Sequence, residues 1–285
     1  MRVMTYNVLC TPASINRTDP RSRIRAIARH IVRGNLAEVV CLQEVFDSPC
    51  KRIAIGELAA AFPYIATNAG HHRVPILGQD SGLLVASKWP IESAAFLSYG
   101  NHIGSDWLAD KGCLVAKVKL ADQASVLVAN IHGQANPDRY FPWWFTSEAS
   151  RRVAAIRREN YTRAGTFVRE AAAGCQLTIF CGDFNIPGED QTSRRQTEEF
   201  KWLQETLGSP HDAFRLRNPD SLAVPGFTYD STGNAMVTEA DTHQRLDYVF
   251  VFGARAEDIT SAAICPVPGL SDHYAVIAEI SGLQE

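Results

Sequence analysis

Asp272 and His273 place a carboxylate beside an imidazole at the entrance to the strand-like run Ala275-Val276-Ile277-Ala278-Glu279-Ile280. Such a pair can hold and deprotonate a water, and it can equally cap a turn. Three further polar clusters interrupt apolar runs in the same manner: Tyr6-Asn7 in the first strand, Gln43-Glu44 after Val39-Val40-Cys41-Leu42, and Gly182-Asp183-Phe184-Asn185 after Leu177-Thr178-Ile179-Phe180. Acids, amides and a histidine at the ends of several core strands are what a sheet presents to a common site.

Each cluster has a chemistry and a plainer competing use. Glu44 ends a buried strand, where a carboxylate is costly unless it meets a cation or strong donors. Magnesium takes one or two carboxylates plus phosphate oxygens and waters, so Glu44 with the Asn7 amide oxygen nearby fits such an ion, and a helix cap or salt bridge fits Glu44 equally. Asp183 and Asn185, two apart, face the same way if the segment is extended. The alternative is an Asx turn before Pro187-Gly188. In Arg245-Leu246-Asp247-Tyr248 an acid sits between apolar neighbours. Its natural partner is a histidine ring N–H, whose tautomer and basicity it would set, against a surface pair with Arg245. His132 closes Asn130-Ile131-His132-Gly133 and has the reach of a phosphoryl-oxygen donor, against a structural role at a strand end.

The elements that must position these residues can be read from periodicity. Ile24, Ile27, Ala28 and Ile31 recur at helical spacing, with Arg21, Arg23, Arg25, Arg29 and Arg33 assigned to a solvated face and Gly34-Asn35 as the C-cap. Strands are expected at 82–86, 114–120, 126–131, 177–180, 246–252 and 275–280, and a long helix over 147–172 with Val153, Ile156, Ala164, Phe167, Val168 and Ala171 inward. Strands dominate and connections are short, so two packed sheets with helices outside would bury them.

The chain's 285 residues, 46% hydrophobic and 21% charged, can bury a large core, and without a Pro/Gly/Ser-rich linker or charge block the expectation is one domain over 1–285. Net charge of −3 opposes a broad nucleic-acid footprint. The seven scattered cysteines show no paired CxxC spacing, which argues against a zinc site and for a reducing, cytoplasmic setting. No signal-peptide core opens the chain, and no apolar run approaches the ~20 residues of a membrane span.

Taken in order, Thr5-Tyr6-Asn7-Val8, Leu42-Gln43-Glu44, Gly182-Asp183-Phe184-Asn185, Arg245-Leu246-Asp247-Tyr248 and Ser271-Asp272-His273 make the chain resemble the endonuclease/exonuclease/phosphatase superfamily of magnesium-dependent phosphoesterases. The resemblance implies a four-layer α/β/β/α sandwich, two mixed sheets face to face with outer helices. It implies roles as well. Glu44 would be the principal Mg²⁺ ligand with Asn7 close by, Mn²⁺ or Co²⁺ being substitutes. His273 would be the general base, oriented by Asp247, and Asp272 would lie at the metal and phosphate. Asp183 and Asn185 would position nucleophile and phosphate, and His132 would stabilise phosphoryl oxygens. Leu9 stands where some nucleases of the family place a further acid, which weakens the case for a second metal.

Within the superfamily, Leu42-Gln43-Glu44-Val45-Phe46-Asp47, the Lys111-Gly112 pair after Asp106-Trp107-Leu108-Ala109-Asp110, His132, and Ser271-Asp272-His273-Tyr274 look like the neutral sphingomyelinase branch, though Ala275 replaces a common proline. The implied substrate is sphingomyelin or a related phospholipid. Lys111 would contact the phosphate or lock a loop through a nearby acid. Tyr140-Phe141-Pro142-Trp143-Trp144-Phe145 would touch a membrane interface or plug the loop beneath it. Arg151, Arg152, Arg157, Arg158 and Arg163 would meet anionic lipid headgroups or simply form a solvated face of the following helix. A nuclease or an inositol phosphate phosphatase of the same superfamily is the alternative activity. A catalytically inactive binding module is the alternative of another class, opposed by competent residues at every mapped position.

Overall fold

The computed structural model describes residues 1–11, 18–67, 80–120, 124–136, 147–267 and 269–282. In chain order its strands are β1 (Arg2–Asn7), β2 (Val39–Gln43), β3 (Tyr64–Ala66), β4 (Leu84–Ser87), β5 (Ile91–Ser98), β6 (Gly112–Lys119), β7 (Ser125–His132), β8 (Leu177–Asp183), β9 (His211–Asp212), β10 (Tyr229–Asp230), β11 (His243–Gln244), β12 (Asp247–Phe252), β13 (Ile259–Cys265) and β14 (Ala275–Ile280). The helices are α1 (Pro20–Gly34), α2 (Ser48–Leu58), α3 (Ser147–Ala171), α4 (Glu198–Leu207) and α5 (Ala213–Arg217).

One six-stranded sheet runs β13-β14-β1-β2-β4-β3 and the other β5-β6-β7-β8-β12-β9, with β10 and β11 as a separate ribbon. Each large sheet has one parallel pair at its centre, β1 with β2 and β7 with β8, among antiparallel neighbours. Alternation along a strand sends successive side chains to opposite faces. Val39 and Cys41 therefore meet Val128, Ile179, Cys181 and Val249 in the layer between the sheets, while Val40 and Leu42 face Ile24, Ile27 and Ile31 of α1. On the far side Leu127, Ala129 and Phe180 pack against Ala164 and Val168 of α3 and Leu203 of α4. The result is the expected helix–sheet–sheet–helix sandwich of two mixed sheets.

The same period of two places the site. Val3-Thr5-Asn7, Val39-Cys41-Gln43, Val128-Asn130-His132 and Ile179-Cys181-Asp183 are four inward-facing columns that turn polar at the same end of the sandwich. Asp247 joins them as the opening residue of antiparallel β12, in register with Asp183. Gly182 lets these strands close up, for a Cβ there would lie 2.1 Å from the Ile131 carbonyl oxygen.

Two basic residues depart from the expected solvated faces. Arg23 is buried and donates through Nη1 to the carbonyls of Val8 (3.1 Å) and Leu270 (2.6 Å) and through Nη2 to that of Leu9 (2.6 Å). Arg157 is buried too, donating through Nε to the Gln134 carbonyl at 2.7 Å. Helical spacing identifies a face but not a neighbouring loop with carbonyls to satisfy, which is what draws these guanidinium groups inward. Among the described residues no helix is long and apolar enough to cross a membrane. The aromatic stretch 140–145 lies outside the described residues.

Candidate active site

The polar ends of the columns converge on one point. Asn7 Nδ2 donates to Glu44 Oε1 and to Asp183 Oδ2, both at 3.0 Å, so carboxylates from opposite sheets meet across a single amide. His132 Nε2 lies 3.6 Å from the same Glu44 oxygen and 3.7 Å from the same Asp183 oxygen. On the other side, His273 Nδ1 sits 2.7 Å from Asp247 Oδ2, and its Nε2 faces Asp183 Oδ2 at 3.8 Å. A carboxylate only accepts, so the Asp247 contact puts a proton on Nδ1 and points Nε2 at Asp183. Asp183 is buried, whereas the Glu44 side chain keeps 17% exposure and Asn185 and Asp272 are also only partly buried.

Backbone strain gathers here. Leu9, Glu44 and Asn185 all have positive φ, at 48°, 59° and 53°, which costs a side-chain-bearing residue of order 1–3 kcal/mol and persists only where surroundings enforce it. At Glu44 the enforcement is visible: the Val45 N–H donates to the Gly82 carbonyl at 2.9 Å and the Cys10 N–H to the Glu44 carbonyl at 3.0 Å.

Charge is out of balance. Burial, and then the Asp272 charge, push the Glu44 carboxyl up to about 7. Burial also raises Asp183, reinforced by the neighbouring Asp247 charge. Burial alone would favour neutral His273, but Asp247, Asp183 and Asp272 outweigh it and hold the ring well above its ordinary range. His132 goes the other way, kept neutral by burial and by the positive charges of Lys111 and His273. Two imidazoles a few ångströms from one carboxylate are thus set to opposite proton states.

Buried carboxylates of like sign need a cation, and the donor set fits a hard divalent one. Asp183, Asp247 and His273 also come within 4.8 Å of one another, with His273 Nδ1 already committed to Asp247. The Glu44–Asp183 side, with Asp272 close enough to raise Glu44, is where a cation fits.

Three sequence expectations meet a different geometry. The Asn7 amide oxygen accepts from the Leu9 N–H at 3.1 Å, so here the nitrogen, and not the oxygen, faces the Glu44 and Asp183 carboxylates. Asp183 and Asn185 do not share an extended segment. The Asn185 N–H donates to Asp183 Oδ1 at 2.9 Å, an Asx turn, and this turn swings the Asn185 amide over to the Gly133 carbonyl, 3.3 Å away. Lys111 Nζ is buried, 2.8 Å from Asp106 Oδ1, and donates to the Gly133 carbonyl at 2.9 Å. It fixes the residue after His132 and adds charge behind the site, which is the loop-locking option and not phosphate contact. Asp247 likewise has a histidine partner, leaving Arg245 to Glu189 and Asp212.

Sequence reasoning passed over three residues. Ser271 Oγ donates to the Asn7 carbonyl at 2.6 Å, tying the first strand to the loop of Asp272 and His273. Thr228 Oγ1 accepts from the Asp247 N–H at 3.2 Å, and the Tyr229 ring stands 5.1 Å from that of His273. Ser271 could have been found beside Asp272, but Thr228 and Tyr229 sit in a turn-rich stretch with no local signal.

The family model described as the Endonuclease/Exonuclease/phosphatase family matches residues 4–273. Sphingomyelinase C 2 of Leptospira interrogans is 22% identical over 307 residues, covering 97% of this chain and 45% of that protein. Sphingomyelinase C of Listeria ivanovii is 24% identical over 244 residues, covering 77% of this chain and 63% of that protein. The chain therefore spans less than two thirds of either relative. A crystal structure of a beta toxin mutant from Staphylococcus aureus with bound magnesium ions superposes with a TM-score of 0.77 at 18% identity, covering 98% of this chain and 99% of that one, which shows a shared fold.

Proposed function

The chain belongs to the endonuclease/exonuclease/phosphatase family, and on that premise we propose that it is a Mg²⁺-dependent phosphodiesterase hydrolysing sphingomyelin, or a closely related choline phospholipid, to phosphocholine and ceramide. The observation that carries the reading is the His273–Asp247 contact at 2.7 Å, with the free ring nitrogen aimed at Asp183 and Glu44 facing it from the other sheet. The similarity to sphingomyelinases supports the choice of substrate. We also read residues 1–285 as one domain, since the two sheets share a core and the family match spans both.

The residues divide the work as follows. A water held between Asp183 and His273 Nε2 loses its proton to Nε2 as its oxygen attacks phosphorus, and the P–O bond to the ceramide oxygen breaks. The departing alkoxide takes a proton from solvent. Asp247 keeps the ring in the tautomer that leaves Nε2 free to accept and stabilises the imidazolium that results. Neutral His132 donates from Nε2 to a phosphoryl oxygen, and Asn185 stands beside it over the Gly133 carbonyl. Glu44, with Asp183 and Asp272 around it, would hold Mg²⁺, whose charge offsets that of the phosphate oxygens and of the carboxylates that otherwise favour protonated His273.

The test is phosphocholine release from sphingomyelin in mixed micelles with Mg²⁺, run beside plasmid DNA and an inositol polyphosphate and with His273→Ala as control. Release that requires both Mg²⁺ and His273 is expected. Cleavage of DNA or inositol phosphate without sphingomyelin turnover keeps the catalytic assignment and discards the substrate. Activity on none of the three returns the chain to a binding role.

A further inference from the structure

Gln43 and Asn130 are fully buried amides in the layer between the sheets, and the chemistry above leaves both unused. Gln43 Nε2 donates to Asn130 Oδ1 at 2.7 Å and to Thr5 Oγ1 at 2.9 Å. Asn130 Nδ2 donates to the carbonyls of Leu42 at 2.9 Å and Leu84 at 3.1 Å. Gln43, Thr5, Leu42 and Leu84 belong to the first sheet and Asn130 to the second, so the three bonds of Asn130 run directly from sheet to sheet while that to Thr5 stays within the first. Deeper in the same columns the layer is closed by the apolar contacts of Val39, Val126 and Val128 and by the weakly polar thiols of Cys41 and Cys181. Burying two amides where valine or leucine would fit costs desolvation that only partners recover. Gln43 Oε1 has no hydrogen-bond partner among the described residues, so that cost is not fully recovered.

Their position says what such a pair accomplishes. Gln43 immediately precedes Glu44. Asn130 lies two residues before His132 on the same face of β7, and His132 is in register with Asp183. The amide pair is therefore the tie between the sheets one layer below the Asn7 bridge, under Glu44 on one sheet and His132 and Asp183 on the other. Apolar side chains tolerate small slides of sheet against sheet, whereas hydrogen bonds fix distance and direction. We infer that Gln43 and Asn130 are positioning residues that set the spacing between Glu44 and Asp183, so that affinity for the divalent cation depends on a pair that never touches it. The inference rests on the reading of Glu44 as the cation's ligand.

Calorimetric titration of Mg²⁺ into the purified protein tests this without reference to turnover. Gln43→Leu and Asn130→Leu should each weaken binding about 10- to 100-fold, the range seen when a partner behind a metal ligand is lost. The double variant Gln43→Leu with Asn130→Leu should bind as weakly as Asn130→Leu alone, because that change already removes all three bonds across the layer, whereas Gln43→Leu leaves those to the Leu42 and Leu84 carbonyls. The double variant leaves neither amide facing an apolar partner, so it regains stability without regaining affinity, and it carries the test if a single variant fails to fold. Leu203→Ala, in the α4 core away from the site, lowers stability and should keep the wild-type Kd. Wild-type affinity in the folded double variant, or a loss no greater than that of Leu203→Ala, overturns the inference. Wild-type protein that binds no Mg²⁺, or Glu44→Gln that binds as well as wild type, overturns the metal reading instead.

Discussion

Two clusters of buried charge lie within this molecule, and they are built on opposite principles. Around Arg245 the charges balance. Its Nη1 meets Asp212 Oδ2 at 2.7 Å, its Nη2 meets Glu189 Oε1 at 2.8 Å, and Arg215 Nε reaches the same Glu189 oxygen at 2.7 Å. Burial would raise the Glu189 carboxyl, but the bonds and charges of Arg245 and Arg215 outweigh it and hold the group below its ordinary range. Around Glu44 the sum is left open: Glu44, Asp183, Asp247 and Asp272 crowd one end of the sandwich, and Glu44 rises to about 7. A closed network stabilises a fold. An open one is tolerated when something outside the chain completes it, which is why perturbed carboxylates in a cleft mark sites of function.

The largest effect expected from this contrast is on turnover. His273→Ala should lower phosphocholine release by about 10²–10⁴-fold, the reach of a positioned base, while leaving the far-ultraviolet circular dichroism of the wild type. Glu189→Gln, assayed at a temperature where it is folded, should keep the wild-type kcat. Equal losses in the two variants would mean that the Arg245 network belongs to the active site. Stability should rank the clusters in reverse. In urea, with chelator present, Glu189→Gln should lose about 2–3 kcal/mol, since it strips a charge partner from two buried arginines. Glu44→Gln, which removes a charge that burial and Asp272 disfavour more than Lys111, Asn7 and His273 support it, should lose none. A Glu44→Gln protein as unstable as Glu189→Gln would show that Glu44 is a structural carboxylate.

Much of this contrast was legible in the sequence on one side only. The clusters at Asn7, Glu44, Asp183, Asp247 and Asp272–His273 stand out because each is polar where a strand's apolar alternation should continue, and that anomaly is local. Strand 275–280 was readable to the residue, and the helix expected over 147–172 spans Ser147–Ala171. Nothing local marks Glu189, Asp212 or Arg215 as buried, since their partners lie up to 56 residues away. The Gln43–Asn130 bond joins residues 87 apart and depends on how one sheet lies on the other. Edge strands were missed for a related reason. β5 faces solvent along most of its length, so Ile91–Ser98 lacks the alternation of a half-buried strand. The sequence suggests the Asn7 amide oxygen near a cation beside Glu44, and it cannot show that the Leu9 N–H bonds to that oxygen.

Cation binding should separate the clusters again by a similar amount. Mg²⁺ at about 100 times its Kd should stabilise wild type and Glu189→Gln alike by about 2.7 kcal/mol, read as a rise in Tm over the chelated protein. Glu44→Gln should show little of that rise. Equal Mg²⁺ stabilisation of all three proteins would place the ion somewhere other than the Glu44 carboxylate.

The finest distinction is in the sign of the pH dependence. Glu189 has a folded-state pKa below the ordinary value of 4.5, so the unfolded chain takes up its proton first as acid is added. Its contribution to stability is complete above pH 4.5 and is lost as pH falls through the folded value. Glu44 is displaced upward, from 4.5 to about 7, so in chelator the unfolded chain gives up its proton first as pH rises. Its protonated form favours the fold most below pH 4.5, and that advantage is lost by about pH 7. Urea midpoints measured from pH 3 to 8 should therefore tilt in opposite senses at the two residues. Subtracting the Glu189→Gln profile from wild type should leave a difference that grows from acid to neutral pH. Subtracting the Glu44→Gln profile should leave one that shrinks over pH 4.5 to 7. Two differences of the same slope would mean that both carboxylates answer to the same kind of neighbour, and the distinction between a closed and an open charge cluster would fall.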